Sequence, residues 1–352
     1  MPESAQVAAR DYRLDGPEKD SAMQRDLISA DWYRPSIPRQ QLKQFMARSN
    51  GRATRDTALW LALLAGTGLL AHLTWGTWWS VPAFIAYGTL YGSASDSRWH
   101  ECGHGTAFKA QRANTVVYNL ASFMVLREPV SWRWSHARHH DDTIIVGRDA
   151  EIAVPRGTSL LKLAPELFNL QSGPKELRKL ALLCVGTVPA QEREYLPESE
   201  YPKACRSARV FVVILVMTIG WSVATGSLRP LMFIGLPTFY GRWLLLVFGL
   251  TQHAGLAEDV LDHRLNSRTI IMGPVLRFLY SNMNYHTEHH MFPTVPYHAL
   301  PALHEAVKGD LPPVYRGLRG AYREVLPALR RQAKDPGYFV RRELPQARQS
   351  AT

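Results

Sequence analysis

Between Asp56 and Asp96 the chain runs for 39 residues without one Asp, Glu, Lys or Arg, from TALWLALLAGTGLLAHLTW to TLYGSAS. A helix needs about 20 apolar residues to cross a hydrocarbon core about 30 Å thick, so this stretch is long enough to cross twice. It predicts a helical hairpin in a membrane, with spans at about 57–75 and 77–95 and the TWGTWW turn as an interfacial aromatic belt. His72 falls near that turn and is expected to pack there. A less clean pair follows at about 210–228 and 230–252. There Pro237 is expected to bend the helix, and Arg242 must face the bundle interior or snorkel, with an acidic partner. A buried soluble hairpin is the competing reading of this second pair.

The net charge of +11 does not indicate nucleic-acid binding, because the basic residues are interspersed with acids and no basic stripe is interleaved with aromatics. Their distribution is topological: of 41 Lys and Arg, only Arg229 and Arg242 fall within either hairpin. By the positive-inside rule both termini and the long middle segment are cytoplasmic. Three cysteines, Cys102, Cys184 and Cys205, form no CxxC pair and suggest a reducing compartment. The first fifty residues are polar and lack the apolar core of a signal peptide, so the first span is expected to direct insertion. The expected organisation is a cytoplasmic N-terminal segment (1–56), a membrane domain (57–310) and a basic cytoplasmic tail (311–352). Residues 1 to about 25 read as a flexible start and the remainder of the segment as amphipathic, lying against the membrane. The fold class is all-α: a four-helix membrane bundle with a cytoplasmic helical cap, to which the mixed-charge stretch 155–208 belongs.

Histidines cluster on that cytoplasmic side. His286, His289 and His290 stand at i, i+3 and i+4, as do His136, His139 and His140, and His100 and His104 form an HxxxH pair just after the second span. On a helix these offsets share one face, about 5–6 Å apart at Cβ, so their nitrogens can converge on one small volume. Composition predicts about 0.02 chance occurrences of HxxHH, and two are present. His253 stands after the fourth span much as His100 stands after the second, which makes it a ninth candidate ligand. His263 is expected to sit in a polar network with Asp262 and Arg264, and His298 and His304 to be surface or packing residues. Asp141, Asp142 and Asp149 follow the second cluster, where carboxylates commonly orient histidine ligands. HECGH is also an H-E-x-x-H match, in which Glu101 would be the base of a zinc protease.

Nine imidazoles exceed what one metal takes, so two metals are implied. Imidazole sets suit Zn, Cu, Fe or Ni. A site at the cytoplasmic mouth of a membrane bundle, reached by apolar substrates from lipid and electrons from water, favours iron with oxygen. The paired Glu-x-x-His motifs of soluble di-iron bundles are not present, since Glu101–His104 is the single match.

HECGH, HARHH and HTEHH, with NMNYHTEHHMFPTVPYH around the third, resemble the three histidine boxes of the membrane fatty-acid desaturase and hydroxylase superfamily. The resemblance, over roughly residues 57–310, implies that His100, His104, His136, His139, His140, His286, His289 and His290 bind two irons, with His253 as the additional ligand. It implies O2 as co-substrate and loss of two hydrogens to give an alkene, or gain of oxygen to give an alcohol. The blocks SDSRWHECGHGTAFK, DTIIVGRDAEI and GLTQHAGLAEDVLDHRLNSRT are similar to a rhizobial subgroup of rhizopine (MocD-type) oxygenases and the rhizobitoxine desaturase. That likeness implies a bacterial inner-membrane desaturase acting on an acyl chain or a small amino-ether such as dihydrorhizobitoxine, with an O-demethylating monooxygenase as the alternative. No HPGG haem-binding stretch is present, so ferredoxin and an NAD(P)H-dependent reductase are the implied donors. A non-enzymatic metal-binding or transport protein is disfavoured, because the histidines lie beyond the span ends and not within them.

Overall fold

The computed structural model describes residues 10–28 and 31–345. Expectations for residues 1–9 and 346–352, the outermost parts of the N-terminal segment and basic tail, lie outside the described residues. The protein is mostly helical. Among the described residues the extended structure is one parallel pair, β1 (Ile270–Ile271) with β2 (Tyr315–Arg316).

The charge-free stretch folds into a helical hairpin. α1 (Asn50–Leu73) starts at Ser49, whose side chain accepts a hydrogen bond from Arg52 N at 3.3 Å. The chain returns through α2 (Ser80–Gly88), a π turn at Thr89–Ser93, and α3 (Ala94–Gly103) without interruption. π turns concentrate at functional sites, and this one lies two helical turns ahead of His100. Trp78 and Trp79 at the tip are 90% and 75% exposed, and Leu59, Leu63, Leu69, Leu70 and Leu73 line an exposed face of α1. So large an apolar surface is costly in water and suited to lipid. Two helical stretches, Arg39–Leu73 and Glu198–Thr225, are long and apolar enough to cross a membrane; the latter contains α7 (Tyr201–Thr225). Between the two hairpins stand α4 (Gln111–Met124), α5 (Pro129–Asp141) and α6 (Ser172–Cys184). α4 is not a span; it packs on α3, with Tyr118 donating its hydroxyl to Pro129 O at 2.6 Å.

The stretch expected to form the fourth span departs most from a continuous helix. It is divided into α8 (Arg229–Phe233), α9 (Pro237–Tyr240) and α10 (Trp243–Gln252), with Pro230 and Pro237 in the first turns of the short helices and Gly235 at φ 91°. Proline tolerates a helix start but not its interior, so each marks a new beginning. The divided chain lies very close to the first hairpin. A Cβ on Gly241 would fall 1.9 Å from the Gly88 carbonyl oxygen, and one on Gly92 2.6 Å from the Pro237 carbonyl oxygen. Gly88 and Gly92 have the small-xxx-small spacing that allows helix backbones to approach closely. Ser93 Oγ fixes the register, donating to Gly241 O at 2.5 Å and accepting from Leu245 N at 3.0 Å. Arg242 is thereby level with the Ser93–Asp96 turn, where the uncharged stretch ends. Its acidic neighbour is Glu166, with Nε 3.9 Å from Oε2.

The chain continues with α11 (His286–Met291), α12 (Leu300–Val307) and α13 (Gly317–Gln332). Leu250 and Ala254 pack with Val325 and Leu329 of α13, and Arg268 pairs with Glu324 at 3.0 Å, so α13 is docked on the end of α10 and the segment that follows it. Residues 10–25, expected to be flexible, are strapped down as well. Arg10 pairs with Glu18, Glu258 and Asp259, and Tyr12 donates to Glu258 at 2.8 Å. The acids at 258 and 259 give Arg10 and Tyr12 a docking place that the segment's own composition did not reveal.

Candidate metal centre

Four elements deliver the histidines. α3 carries His100 and ends at His104. α5 opens on a buried cap: Glu128 accepts from Val130 N at 3.0 Å and Ser131 N at 2.6 Å, with Pro129 at the first helical position. That start places His136, His139 and His140 in the last turns of α5. His253 terminates α10, and α11 presents His286, His289 and His290. α11 is held by Glu288, which accepts from Thr269 Oγ1 at 2.5 Å and pairs with His304 Nδ1.

The nine side chains form two adjoining groups. His100, His104, His136, His140 and His289 bring one nitrogen each within 4.8 Å of one another; His139, His253, His286 and His290 do the same. Each HxxHH motif is divided between them: its i and i+4 residues enter one group and its i+3 residue the other. Positions i and i+4 lie on one stripe of a helix, with i+3 on its flank.

Hydrogen bonds on the outer nitrogen settle several tautomers. His136 Nδ1 donates to Glu151 Oε2 at 3.0 Å, His139 Nδ1 to Asp149 Oδ2 at 2.8 Å, and His253 Nδ1 to Asn266 O at 2.7 Å. Thr143 Oγ1 gives its proton to His139 O at 2.6 Å and so accepts from His290 Nδ1 at 3.1 Å. In the neutral ring each leaves a lone pair on Nε2, and those of His136, His253 and His290 lie against the Nε2 atoms of His104, His140 and His286. The Nε2–Nε2 separations are 3.1 Å for His104–His136, 3.2 Å for His136–His140 and 3.1 Å for His140–His289. They are 2.9 Å for His253–His286 and 3.0 Å for His286–His290. At a metal–nitrogen distance of roughly 2.0–2.1 Å, ligands at right angles are about 2.9 Å apart. Five and four imidazole nitrogens converging at this spacing make a donor set that fits two metal ions.

Burial, followed by the field of neighbouring imidazoles, holds His100, His104, His140, His286, His289 and His290 well below the usual histidine pKa. Burial and His139 do the same for His253. Neutral imidazole is the form that ligates. At His139 burial is outweighed by Asp149, and the pKa rises to about 9; Glu151 falls to about 2 because His136 and His139 outweigh its burial. A carboxylate on Nδ1 makes the opposite nitrogen a stronger donor.

Of the three aspartates expected to orient the ligands, Asp149 does so. Asp142 instead pairs with Arg148 at 2.9 Å, and the Asp141 carbonyl accepts from Trp32 at 3.1 Å. Glu151 and the Glu288–His304 pair were missed. Glu151 lies two residues past Asp149 and could have been read with it, whereas His304 is 16 residues from its partner and buried, not a surface residue. His263 stays outside both groups, stacked on Trp32 at 4.2 Å between ring centroids, with its pKa pushed down to about 3 by burial. Glu101 points away from the histidines. It accepts from Thr106 Oγ1 at 2.5 Å and Tyr297 N at 3.1 Å, so the zinc-protease reading lacks its general base. All three cysteines are free thiols.

A cavity of about 530 Å³ opens onto the second group. His139 and His253 line it, together with Glu151, Trp132, Phe248 and Tyr280, and it extends to Asp96, Arg127, Glu166 and Arg242.

A helical protein with lipid-suited faces and two buried groups of histidines fit to hold metal ions has the features of a membrane oxidoreductase. The family description "fatty acid desaturase" matches residues 73–322, and the chain belongs to that family. The chloroplastic sn-2 acyl-lipid omega-3 desaturase (ferredoxin) of Arabidopsis thaliana is 24% identical over 311 residues, covering 80% of this chain and 66% of that protein. The chloroplastic omega-3 fatty acid desaturase of Brassica napus is 26% identical over 304 residues, covering 80% and 73%. The endoplasmic-reticulum acyl-lipid omega-3 desaturase (cytochrome b5) of Arabidopsis thaliana is 26% identical over 303 residues, covering 80% and 76%.

Proposed function

We propose that the nine histidines hold two iron ions and that the protein is an O2-dependent desaturase introducing a carbon–carbon double bond. The observation that carries this is the convergence of imidazole Nε2 atoms, 2.9–3.2 Å apart, in two adjoining groups. The five-histidine group holds one ion and the four-histidine group the other. The bound irons supply the oxygen chemistry, and the reaction balances as –CH2–CH2– + O2 + 2e⁻ + 2H⁺ giving –CH=CH– + 2H2O.

The remaining parts are the chain's own. Glu151, Asp149, Thr143 and the Asn266 carbonyl orient the rings. Trp99, the neighbour of His100 and His136, helps close the five-histidine group against water. The cavity that reaches His139 and His253 holds the substrate, an acyl chain or a small amino-ether. Two further passes, the second half of the first hairpin and the divided α8–α10 stretch, complete a four-pass bundle in a bacterial inner membrane, with both termini and the site on the cytoplasmic side. Electrons come from a ferredoxin and its NAD(P)H-dependent reductase, a reading supported by relatives named for ferredoxin or cytochrome b5.

The test is to supply the membrane-inserted protein with ferredoxin, reductase, NAD(P)H and O2, offer acyl and amino-ether substrates, and record product masses. Loss of two hydrogens is expected. Gain of one oxygen, or release of formaldehyde, would place the enzyme with the hydroxylating or demethylating branch, and zinc at one per chain would remove the di-iron reading.

A further inference from the structure

Arg242 is a guanidinium without a hydrogen bond. Among the described residues none makes a hydrogen bond to its five donors, and its nearest carboxylate, Glu166, is 3.9 Å away, with Asp96 and Glu176 farther off. Glu166 is itself engaged elsewhere, its other oxygen accepting from Ser172 N at 2.8 Å. A buried cation normally has its donors satisfied, because leaving them unpaired forfeits the solvation they had in water. Arg242 is only 14% exposed, and it lines the cavity that also reaches His139 and His253. The nearby Arg127 shows the satisfied case: it pairs with Asp96 and is stacked between Trp99 and Trp132 at 4.5 and 4.6 Å.

Lys162 and Lys175, exposed at the cavity rim, have no carboxylate within ion-pairing distance among the described residues. Asp96, Glu151, Glu166 and Glu258 also line the cavity; Asp96, Glu151 and Glu258 are paired with Arg127, His136 and the Arg10–Arg156 cluster, which leaves an anion one largely buried fork of donors beside Glu166 and two outer cations. A guanidinium matches the planar oxygens of carboxylate or phosphate with two parallel hydrogen bonds. α10 connects the anchor to the metal centre. The ten residues of α10 separate Arg242 from His253, a rise of about 16 Å between their Cα atoms.

We propose that Arg242 binds an anionic oxygen-acid group of the substrate, carboxylate or phosphate, inside this cavity, and so sets which carbon is presented at the His139–His253 end. The proposal rests on the desaturase reading for the identity of the reacting end, but the binding it describes does not. The substrate class is an acid carried on a chain or backbone long enough to reach from α10's first turn to its last. A neutral ester or glyceride would leave the guanidinium unpaired.

The test uses the full-length protein in detergent, without added metal, so that it is independent of turnover. Octanoate, octyl phosphate and methyl octanoate are titrated by calorimetry and by quenching of tryptophan fluorescence, with Trp132 in the cavity wall as reporter. The acids are expected to bind about tenfold or more tighter than the methyl ester, and Arg242→Gln to remove that preference while leaving the ester's affinity unchanged. The stronger of octanoate and octyl phosphate identifies the oxygen acid. Arg242→Lys should retain part of the preference, as a point charge lacking the fork. Equal binding of acid and ester by the unaltered protein overturns the proposal without any variant, as does an equal loss of both in Arg242→Gln. If acids bind as expected and no alkene forms from them in the reconstituted system, the desaturase reading fails and the anchor stands.

Discussion

Asp149 reaches over the end of α5 to place Oδ2 2.8 Å from Nδ1 of His139, and the same oxygen accepts from Ile144 N at 2.8 Å. The carboxylate thus ties the ring to the turn that follows its own helix.

Removing that tie should loosen the metal before it loosens the fold. Asp149→Ala and Glu151→Gln are each expected to weaken metal affinity about tenfold to a hundredfold, the usual consequence of losing the partner of a ligating histidine. Chelator competition followed by metal analysis measures it. Unchanged retention in both variants would mean that the ring orientations are fixed by packing alone.

The two groups should empty separately. His289→Ala removes a nitrogen from the five-histidine group and His290→Ala one from the four-histidine group. Each is expected to lower iron from two toward one per chain and to abolish turnover, with His290→Ala the more complete because fewer ligands remain. Iron content by elemental analysis decides this; a loss of both ions in either variant would show a single cooperative site.

Acid should destabilise the metal-free protein. Seven of the nine imidazoles, all but His136 and His139, stay neutral in the fold well below 6.5. The unfolded chain takes up protons near 6.5, so between pH 7 and 5 it binds more protons than the folded chain and stability falls. Each group contributes up to about 1.4 kcal/mol per pH unit. His139, raised to about 9, acts with the opposite sign, and its stabilisation is lost only as pH rises through that value. Melting temperature against pH is expected to slope downward below pH 6.5, and less steeply in His289→Ala.

Gly241→Ala should disrupt the bundle. With backbone 1.9 Å from the new methyl group, no side-chain movement can relieve the clash, and a loss of about 1–3 kcal/mol or more is expected. Gly249→Ala on the same stretch, with nothing within 4 Å, is the control and should fold normally. Thermal unfolding in detergent compares the two.

The parts of this structure that depend on local periodicity were open to reading in the sequence. HxxHH needs only the helical repeat to bring its rings together, and the charge-free stretch 57–95 needs only its length to form a hairpin. The seat of His253 could be read by analogy with His100, because both follow an apolar stretch. What escaped was set by contacts distant in sequence. Glu288 and His304 meet only because α12 folds back on α11, and the N-terminal strap needs acids more than two hundred residues away. The division of 230–252 had its signals in Pro230, Pro237 and Gly235. Gly88-x-x-x-Gly92 had announced a close helix crossing, but not which partner would fill it.

The sharing of each HxxHH turn between both groups has a mechanical consequence. Two ions held by these groups would be spaced by the pitch of α5 and α11, two short helices that each contribute to both groups. A substitution could then empty one group without easily moving it relative to the other. Such a pair would be gauged by main-chain geometry, so the side chains around the cavity could change while the two groups keep their separation.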